Sequence, residues 1–178
     1  TPLPAVYLSA NPLTAETEEI LLEQLGFRTQ GTSYYEAPDG TVYLNSGDTL
    51  RVGEGGQILF TANPAGEARF SIGGGGEKTT ASEVMETVSA LVRQAMGLWQ
   101  GEAELQLTLY EEQTDGSILV EFSYYLNGAR VTQYNGNSAA RVMVRDGVIT
   151  DFELWLRSYS LGSEATALLP VAQAAAAV

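Results

Sequence analysis

The sequence predicts an α+β fold of two lobes, each with one helix packed on an antiparallel meander sheet. Two stretches have the apolar spacing of a helix, and each is followed by segments in which apolar and polar residues alternate. The segments are joined by short turns rich in glycine, asparagine and aspartate, which are typical of hairpins. Because parallel strands need long crossover connections, these short turns exclude a doubly wound parallel sheet.

The first predicted lobe covers residues 1–72 and begins with a helix over 14–25. Thr14 is a suitable N-cap, glutamates in the first turn favour the positive start of the helix, and Gly26 favours its end. Five strand-like segments follow, and the turn Pro38-Asp39-Gly40 joins the first two of them. The predicted strands of this lobe are 32–36, 41–44, 49–52, 57–62 and 67–72.

The second predicted lobe, residues 80–178, follows a glycine-rich hinge over 73–79. Thr80 and Glu83 have the spacing of a capping box, and apolar residues then recur at helical spacing to about Gly101. Alternating strand segments come next, and an alanine-rich stretch over 168–178 predicts a final helix. The predicted strands are 105–109, 118–125, 129–134, 141–145 and 148–159.

The composition excludes several functional classes. The chain has 178 residues, 22 acidic and 9 basic side chains, a formal charge of −13, and neither cysteine nor histidine. It therefore lacks the usual zinc ligands, thiol or imidazole nucleophiles and a Ser-His-Asp triad. The acidic charge argues against a nucleic-acid partner. A hydrophobic fraction of 44% indicates a globular chain, and its apolar runs are too short for a membrane helix.

Three partial motifs are each explained better by a structural role than by catalysis or ligand binding. The glycine run before Lys78 resembles a phosphate-binding loop, but Glu77 stands where that loop needs glycine. Glu111 and Glu112 are adjacent in a strand and would point to opposite faces, unlike a pair of catalytic carboxylates. Asp-Gly pairs suit hairpin turns, and the sequence has no twelve-residue calcium loop. We therefore expect a non-enzymatic protein with no catalytic residue, no cofactor and no metal site.

Three aromatic residues are the candidate contact site for a protein partner. Tyr125, Trp155 and Tyr159 alternate with core positions, so we expect them on the sheet face away from the second helix. Exposed aromatic patches mark partner surfaces. The alternative is that the other lobe or the C-terminal helix covers them.

The order of strands and turns resembles the extracytoplasmic domains of the YycH/YycI group. The stretches that carry the resemblance are 34–43, 50–52, 56–60, 122–131, 140–144, 147–152 and 168–170. The resemblance implies an accessory protein of Gram-positive bacteria that sits outside the membrane on one N-terminal transmembrane helix. Such proteins modulate a sensor histidine kinase that governs cell-wall metabolism. The resemblance supplies no matched functional residues.

We therefore expect an extracytoplasmic regulatory domain that binds a protein, either a sensor kinase or a paralogous regulator. The chain opens at Thr1 without methionine, so we expect an upstream segment, either a membrane anchor or a cleaved signal. PepSY-type domains, with a protease-inhibitor-like role, are the nearest rival family. The enzymatic alternative is a secreted hydrolase using carboxylates, which would show a deep pocket with a carboxylate pair of perturbed acidity.

Overall fold

The computed structural model describes residues 5–73, 79–133, 136 and 138–162. Two helices are described, α1 (Ala15–Gln24) and α2 (Ala81–Met96). The described strands are β1 (Tyr7–Ala10), β2 (Ser33–Ala37), β3 (Gly40–Asn45), β4 (Asp48–Gly53), β5 (Gln57–Thr61), β6 (Glu104–Glu112), β7 (Ile118–Leu126), β8 (Ala129–Arg130), β9 (Ala140–Arg145), β10 (Val148–Trp155) and β11 (Ser158–Leu161).

Nine of these strands form one antiparallel sheet, which confirms the predicted α+β class. Its order is β2-β3-β4-β5-β10-β9-β7-β6, and the short β8 pairs with the end of β7. The strands β1 and β11 form a separate two-stranded sheet. The two halves of the large sheet meet where β5 pairs with β10, with Phe60 opposite Phe152.

The strands predicted for two lobes thus share one sheet instead of forming a sheet each. Turn signals identify which strands are neighbours within a meander, but they do not tell which edge strands of two meanders pair with each other. The predicted hinge over 73–79 lies mostly outside the described residues, so the lobe boundary itself stays a prediction.

Both helices begin at the predicted capping residues. The Thr14 backbone N–H donates to Thr17 Oγ1 at 2.7 Å, and the Thr17 N–H donates back to Thr14 Oγ1 at 3.3 Å. In α2 the Thr80 N–H donates to Glu83 Oε2 at 2.8 Å, and the Glu83 N–H donates to Thr80 Oγ1 at 3.3 Å. The second helix ends at Met96, one turn earlier than predicted, with Gly97 as its C-cap.

The helices pack on the same face of the sheet and share one hydrophobic core. Their buried apolar residues form a single cluster with the inward residues of the large sheet. At the centre, Phe60 and Phe152 stack with ring centroids 4.9 Å apart. The helical members of the cluster are Leu21, Leu22, Val84, Val88, Leu91, Val92, Ala95 and Met96.

Three strand predictions differ from the structure. The segment 67–72 contributes only an isolated bridge between Ser71 and Val148, and within the described part of the segment 129–134 only β8, Ala129–Arg130, forms a strand. The segment 148–159 divides into β10 and β11, because the Tyr124 hydroxyl interrupts it: that group donates to the Trp155 carbonyl at 3.0 Å and accepts from the Arg157 N–H at 3.1 Å. The predicted helix over 168–178 lies outside the described residues.

Candidate docking site on the open face of the sheet

Neither of the two described helices lies on the second face of the large sheet, and we call this face the open face with reference to the described residues. Directly paired residues of antiparallel strands point to the same side, so the strand register identifies the side chains on this face. A row of five crosses its middle, and we call it the central row. Its members are Arg51 in β4, Leu59 in β5, Glu153 in β10, Arg141 in β9 and Glu121 in β7.

Charges alternate along the inner part of the central row. Arg141 lies between two glutamates, and its Nε is 3.8 Å from Glu121 Oε1. The other Glu121 oxygen accepts a hydrogen bond from Ser138 Oγ at 2.9 Å. Opposite charges on directly paired residues attract, so this arrangement favours the observed pairing of β7, β9 and β10.

Trp155 lies on the open face next to the central row. It is paired with Gln57, is half-buried, and its indole Nε1 donates to Glu153 Oε1 at 3.0 Å. The same carboxylate oxygen accepts from Gln57 Nε2 at 2.6 Å. Two hydrogen bonds therefore fix the carboxylate of Glu153 and orient the indole ring beside it.

The second candidate, Tyr125, lies on the same face near the far edge of the sheet. It is half-buried and is paired with Glu104 in β6 and with Arg130 in β8. The structure thus places Tyr125 and Trp155 on the open face, separated by the strand β9. Their contact with a partner stays a prediction.

Tyr159 does not belong to this surface, which corrects the sequence-based prediction. Only 6% of its surface is exposed, and its ring packs edge-on against Tyr124 with centroids 5.1 Å apart. Burial also raises the pKa of its phenol. The prediction treated 148–159 as one strand, in which residues 155 and 159 share a face; the break after Trp155 removes that relation.

Leu109 is a member of the open face that the sequence pattern assigned to the other side. A bulge between Leu107 and Leu109 shifts the register, so Leu107 lies opposite the core residue Phe122 while Leu109 lies opposite Glu121. A bulge adds one residue to one strand, so the residues that follow it in that strand point to the opposite face from the one that uninterrupted alternation predicts. Nothing in the alternation of residues 104–109 signals this shift.

Two depressions lie on the open face. One, of about 310 Å³, is bounded by Leu59, Met143 and Asp151 among others. A smaller one, of about 190 Å³, lies between the charged residues of the central row and Trp155, with Arg130 at its rim. Both offer shallow, mixed polar and apolar relief of the kind found at protein interfaces.

Among the described residues, the acidic groups with clearly shifted pKa values lie away from this face. Hydrogen bonds from Thr80 lower the pKa of Glu83, and hydrogen bonds from Ser117 lower the pKa of Asp115. A general acid in a hydrolase needs a shift in the opposite direction. Among the described residues, no group of three or more acidic side chains is placed to hold a metal ion.

Comparison with known proteins supplies no relative. None of the family models, curated proteins or solved structures compared with the chain matches it. Neither described helix is long and apolar enough to cross a membrane.

Proposed function

We propose that this chain is a non-enzymatic, extracytoplasmic regulatory domain that docks a protein partner through the open face of its sheet. The observation that carries the proposal is the asymmetry of the sheet. Both described helices cover one face, and among the described residues the other face presents the central row together with Trp155 and Tyr125.

The chemistry of the open face suits docking. Interfaces combine polar rims with aromatic anchors, and tryptophan, tyrosine and arginine carry most of their binding energy. Trp155 is half-buried and held by its bond to Glu153, so it loses little side-chain freedom when a partner covers it. The charges of Arg141 and Glu121 would select a partner of complementary pattern and set its register.

The resemblance to the YycH/YycI group suggests the partner and the location. The partner would be the extracytoplasmic part of a sensor histidine kinase in Gram-positive bacteria, or a paralogous regulator. The chain would act outside the membrane, attached by a segment that precedes Thr1. Docking would shift the kinase between signalling states by binding one state more tightly than the other.

The test is binding of the chain to the extracytoplasmic domain of that kinase, measured by biolayer interferometry. Trp155→Ser is expected to weaken binding by about 30-fold, the loss typical of a central aromatic anchor. Leu98→Ser, which alters an apolar residue 67% exposed after α2, is the matched control and is expected to bind normally.

Thermal unfolding of the same variants separates docking from folding. Trp155→Ser is expected to lower the thermal midpoint by less than about 4 °C, because a half-exposed residue contributes little to the core. No binding by the unaltered chain, or equal affinity of the Trp155→Ser variant, would contradict the proposal. A large loss of stability in that variant would show that Trp155 serves the core instead.

A further inference from the structure

The strand β2 forms one edge of the large sheet. Among the described residues it pairs only with β3, and its first four residues are exposed, including Tyr34 at 69% and Tyr35 at 54%. The strand at the opposite edge, β6, contains the bulge between Leu107 and Leu109, whereas the register of β2 with β3 is regular along the whole strand. A regular, exposed edge of this kind can accept a further strand.

The hairpin geometry shows which backbone groups of β2 face the free edge. Ala37 and Gly40 flank a two-residue turn, so they form a hydrogen-bonded pair, and hydrogen-bonded and non-hydrogen-bonded pairs then alternate along the two strands. Tyr35 therefore bonds to β3, while the N–H and C=O groups of Tyr34 and Glu36 point away from it. Those groups have no backbone partner among the described residues.

A cavity of about 500 Å³ lies beside this edge, between α1 and the hairpin of β2 and β3. Two tyrosines that line it, Tyr34 and Tyr43, have ring centroids 5.9 Å apart. The Tyr43 hydroxyl donates to Glu18 Oε1 in α1 at 2.8 Å, so the carboxylate of Glu18 lies next to the tyrosine rings. The carboxylate of Glu36 accepts a hydrogen bond at 3.2 Å from Thr41 Oγ1, another residue of the lining.

The carboxylates of Glu18 and Glu36 form no salt bridge with any cation in the described part of the chain. The arginines of this region, Arg28 and Arg51, pair with other acidic groups. Burial, the bond to Glu18 and the charges of both carboxylates raise the pKa of the Tyr43 phenol, so both charges act at the same place. Carboxylates and the faces of tyrosine rings both attract cations. The helix side of the edge therefore suits a basic group.

We infer that the free edge of β2 binds an extended, basic segment of a partner protein as an additional antiparallel strand. The backbone of the segment would exchange hydrogen bonds with Tyr34 and Glu36. Directly paired residues share a face, so the segment residues opposite these two would lie on the helix side, where a lysine or arginine meets the rings and carboxylates. The residue between them would lie beside Tyr35 on the open face and would be apolar.

The charge of the chain argues for a different protein as the partner and against a second copy. Both edge strands carry glutamates, and the whole chain has a formal charge of −13. Pairing two such edges would bring like charges together. The interface goes beyond the proposed docking function and does not depend on it, because it uses the edge and the helix side of the sheet, whereas the central row lies on the open face.

Hydrogen exchange of single amides, followed by nuclear magnetic resonance of the full chain, tests the pairing. The probe is the acetylated and amidated peptide Thr-Lys-Val-Lys-Thr, which we expect to bind saturably in the high micromolar range, as suits a short flexible strand. At saturation the amide exchange of Tyr34 and Glu36 is expected to slow at least about threefold, because both gain acceptors. The amide of Tyr35, already bonded to β3, is expected to change much less.

Peptide variants separate the backbone bonds from the charge. In an antiparallel pair both lysine N–H groups would face β2, and the valine N–H would face away. N-methylation of the second lysine is therefore expected to weaken binding at least about fivefold, since it removes a hydrogen bond. N-methylation of the valine is the matched control and should have a far smaller effect. Replacement of both lysines by glutamate should abolish binding, because like charges then meet.

Variants of the chain connect binding to the two carboxylates. The double variant Glu18→Gln with Glu36→Gln is expected to weaken peptide binding about tenfold, since each exposed ion pair contributes about two- to fivefold. The matched control, Glu111→Gln with Glu112→Gln, removes the same charge from exposed positions at the other edge and should bind normally. Glu36→Gln alone, at an exposed position, is expected to weaken binding about threefold and keeps the test decisive if the double variant fails to fold.

Four results would overturn the inference. They are the absence of saturable protection at Tyr34 and Glu36, equal binding of the two N-methylated peptides, equal effects of the two double variants, and equal binding of the lysine and glutamate peptides. Protection of the same amides that rises with the concentration of the chain alone would show a second copy at the edge, and would overturn it as well.

Discussion

A partly buried arginine, Arg69, joins three loops of the first half of the chain. Arg69 Nε donates to Asp48 Oδ2 at 2.8 Å, and its two terminal nitrogens each donate at 2.7 Å, one to the Gly26 carbonyl and the other to Asn45 Oδ1. Its guanidinium carbon also lies 4.4 Å from the centre of the Phe27 ring. The pair is well covered, with 16% of the Arg69 and 4% of the Asp48 side chain exposed. The segment 67–72, predicted as a strand, is therefore held in place mainly by the side-chain bonds of Arg69.

The bonds of Arg69 are expected to make a large contribution to the free energy of unfolding. Arg69→Met is expected to lower the free energy of unfolding by about 3–5 kcal/mol, because it leaves the Asp48 carboxylate buried without its partner. Arg145→Gln, which breaks the exposed pair with Asp115, is the control and is expected to have a far smaller effect. Urea unfolding at neutral pH measures both; similar losses in the two variants would show that burial does not decide the contribution of these pairs.

Among the elements, the ones whose boundaries depend on residues close together in the sequence were predictable. The N-cap bonds of both helices join residues three apart, so a short motif contains the whole interaction. The end of β10 depends instead on the hydroxyl of Tyr124, which lies 31 positions before Trp155. The bulge in β6 is likewise defined by its register with β7. This explains why Trp155 was placed correctly on the open face while Tyr159 was not.

The capping box of α2 carries a pH-dependent contribution to stability. Hydrogen bonds from the Thr80 backbone and side chain hold the pKa of Glu83 below its usual value of 4.5 in the folded chain. A carboxyl with a lowered folded pKa stabilises the fold fully above its unfolded pKa, and this contribution is lost as the pH falls through the folded value. The free energy of unfolding should therefore exceed that of Glu83→Gln at neutral pH, with the difference shrinking under acid conditions.

Thr14→Ala is the matched control for this pH dependence. The capping box of α1 uses the neutral Thr17 in place of a glutamate, so the variant should lose about 1 kcal/mol at every pH. Chemical unfolding of the variants and the unaltered chain between acid and neutral pH gives both curves. A difference for Glu83→Gln that does not change with pH would refute the role of its charge.

At the scale of the whole molecule, one pairing decides how the two halves combine. Residues 57–61 in β5 pair with residues 151–155 in β10, and the helices of both halves contribute to the same core. Nothing in the local sequence of β5 or β10 indicates that these two strands pair. Each already has a hairpin partner close in the sequence, β4 for β5 and β9 for β10. The elements were therefore largely predictable, but their union in one sheet was not.

A shared sheet and core predict that the described residues unfold as one cooperative unit. Calorimetry should show a single transition with equal calorimetric and van't Hoff enthalpies, whereas independent lobes would give two.

Phe152→Ala removes the ring that stacks on Phe60 at the junction and is expected to lower the free energy of unfolding by about 3–5 kcal/mol. Hydrogen exchange should then rise together in β4 and β7, on either side of the junction. Leu107→Ala, at a residue 42% exposed in the edge strand, is the control and should change neither strand greatly. Faster exchange in β7 alone would mean that the two halves fold separately in spite of their common sheet.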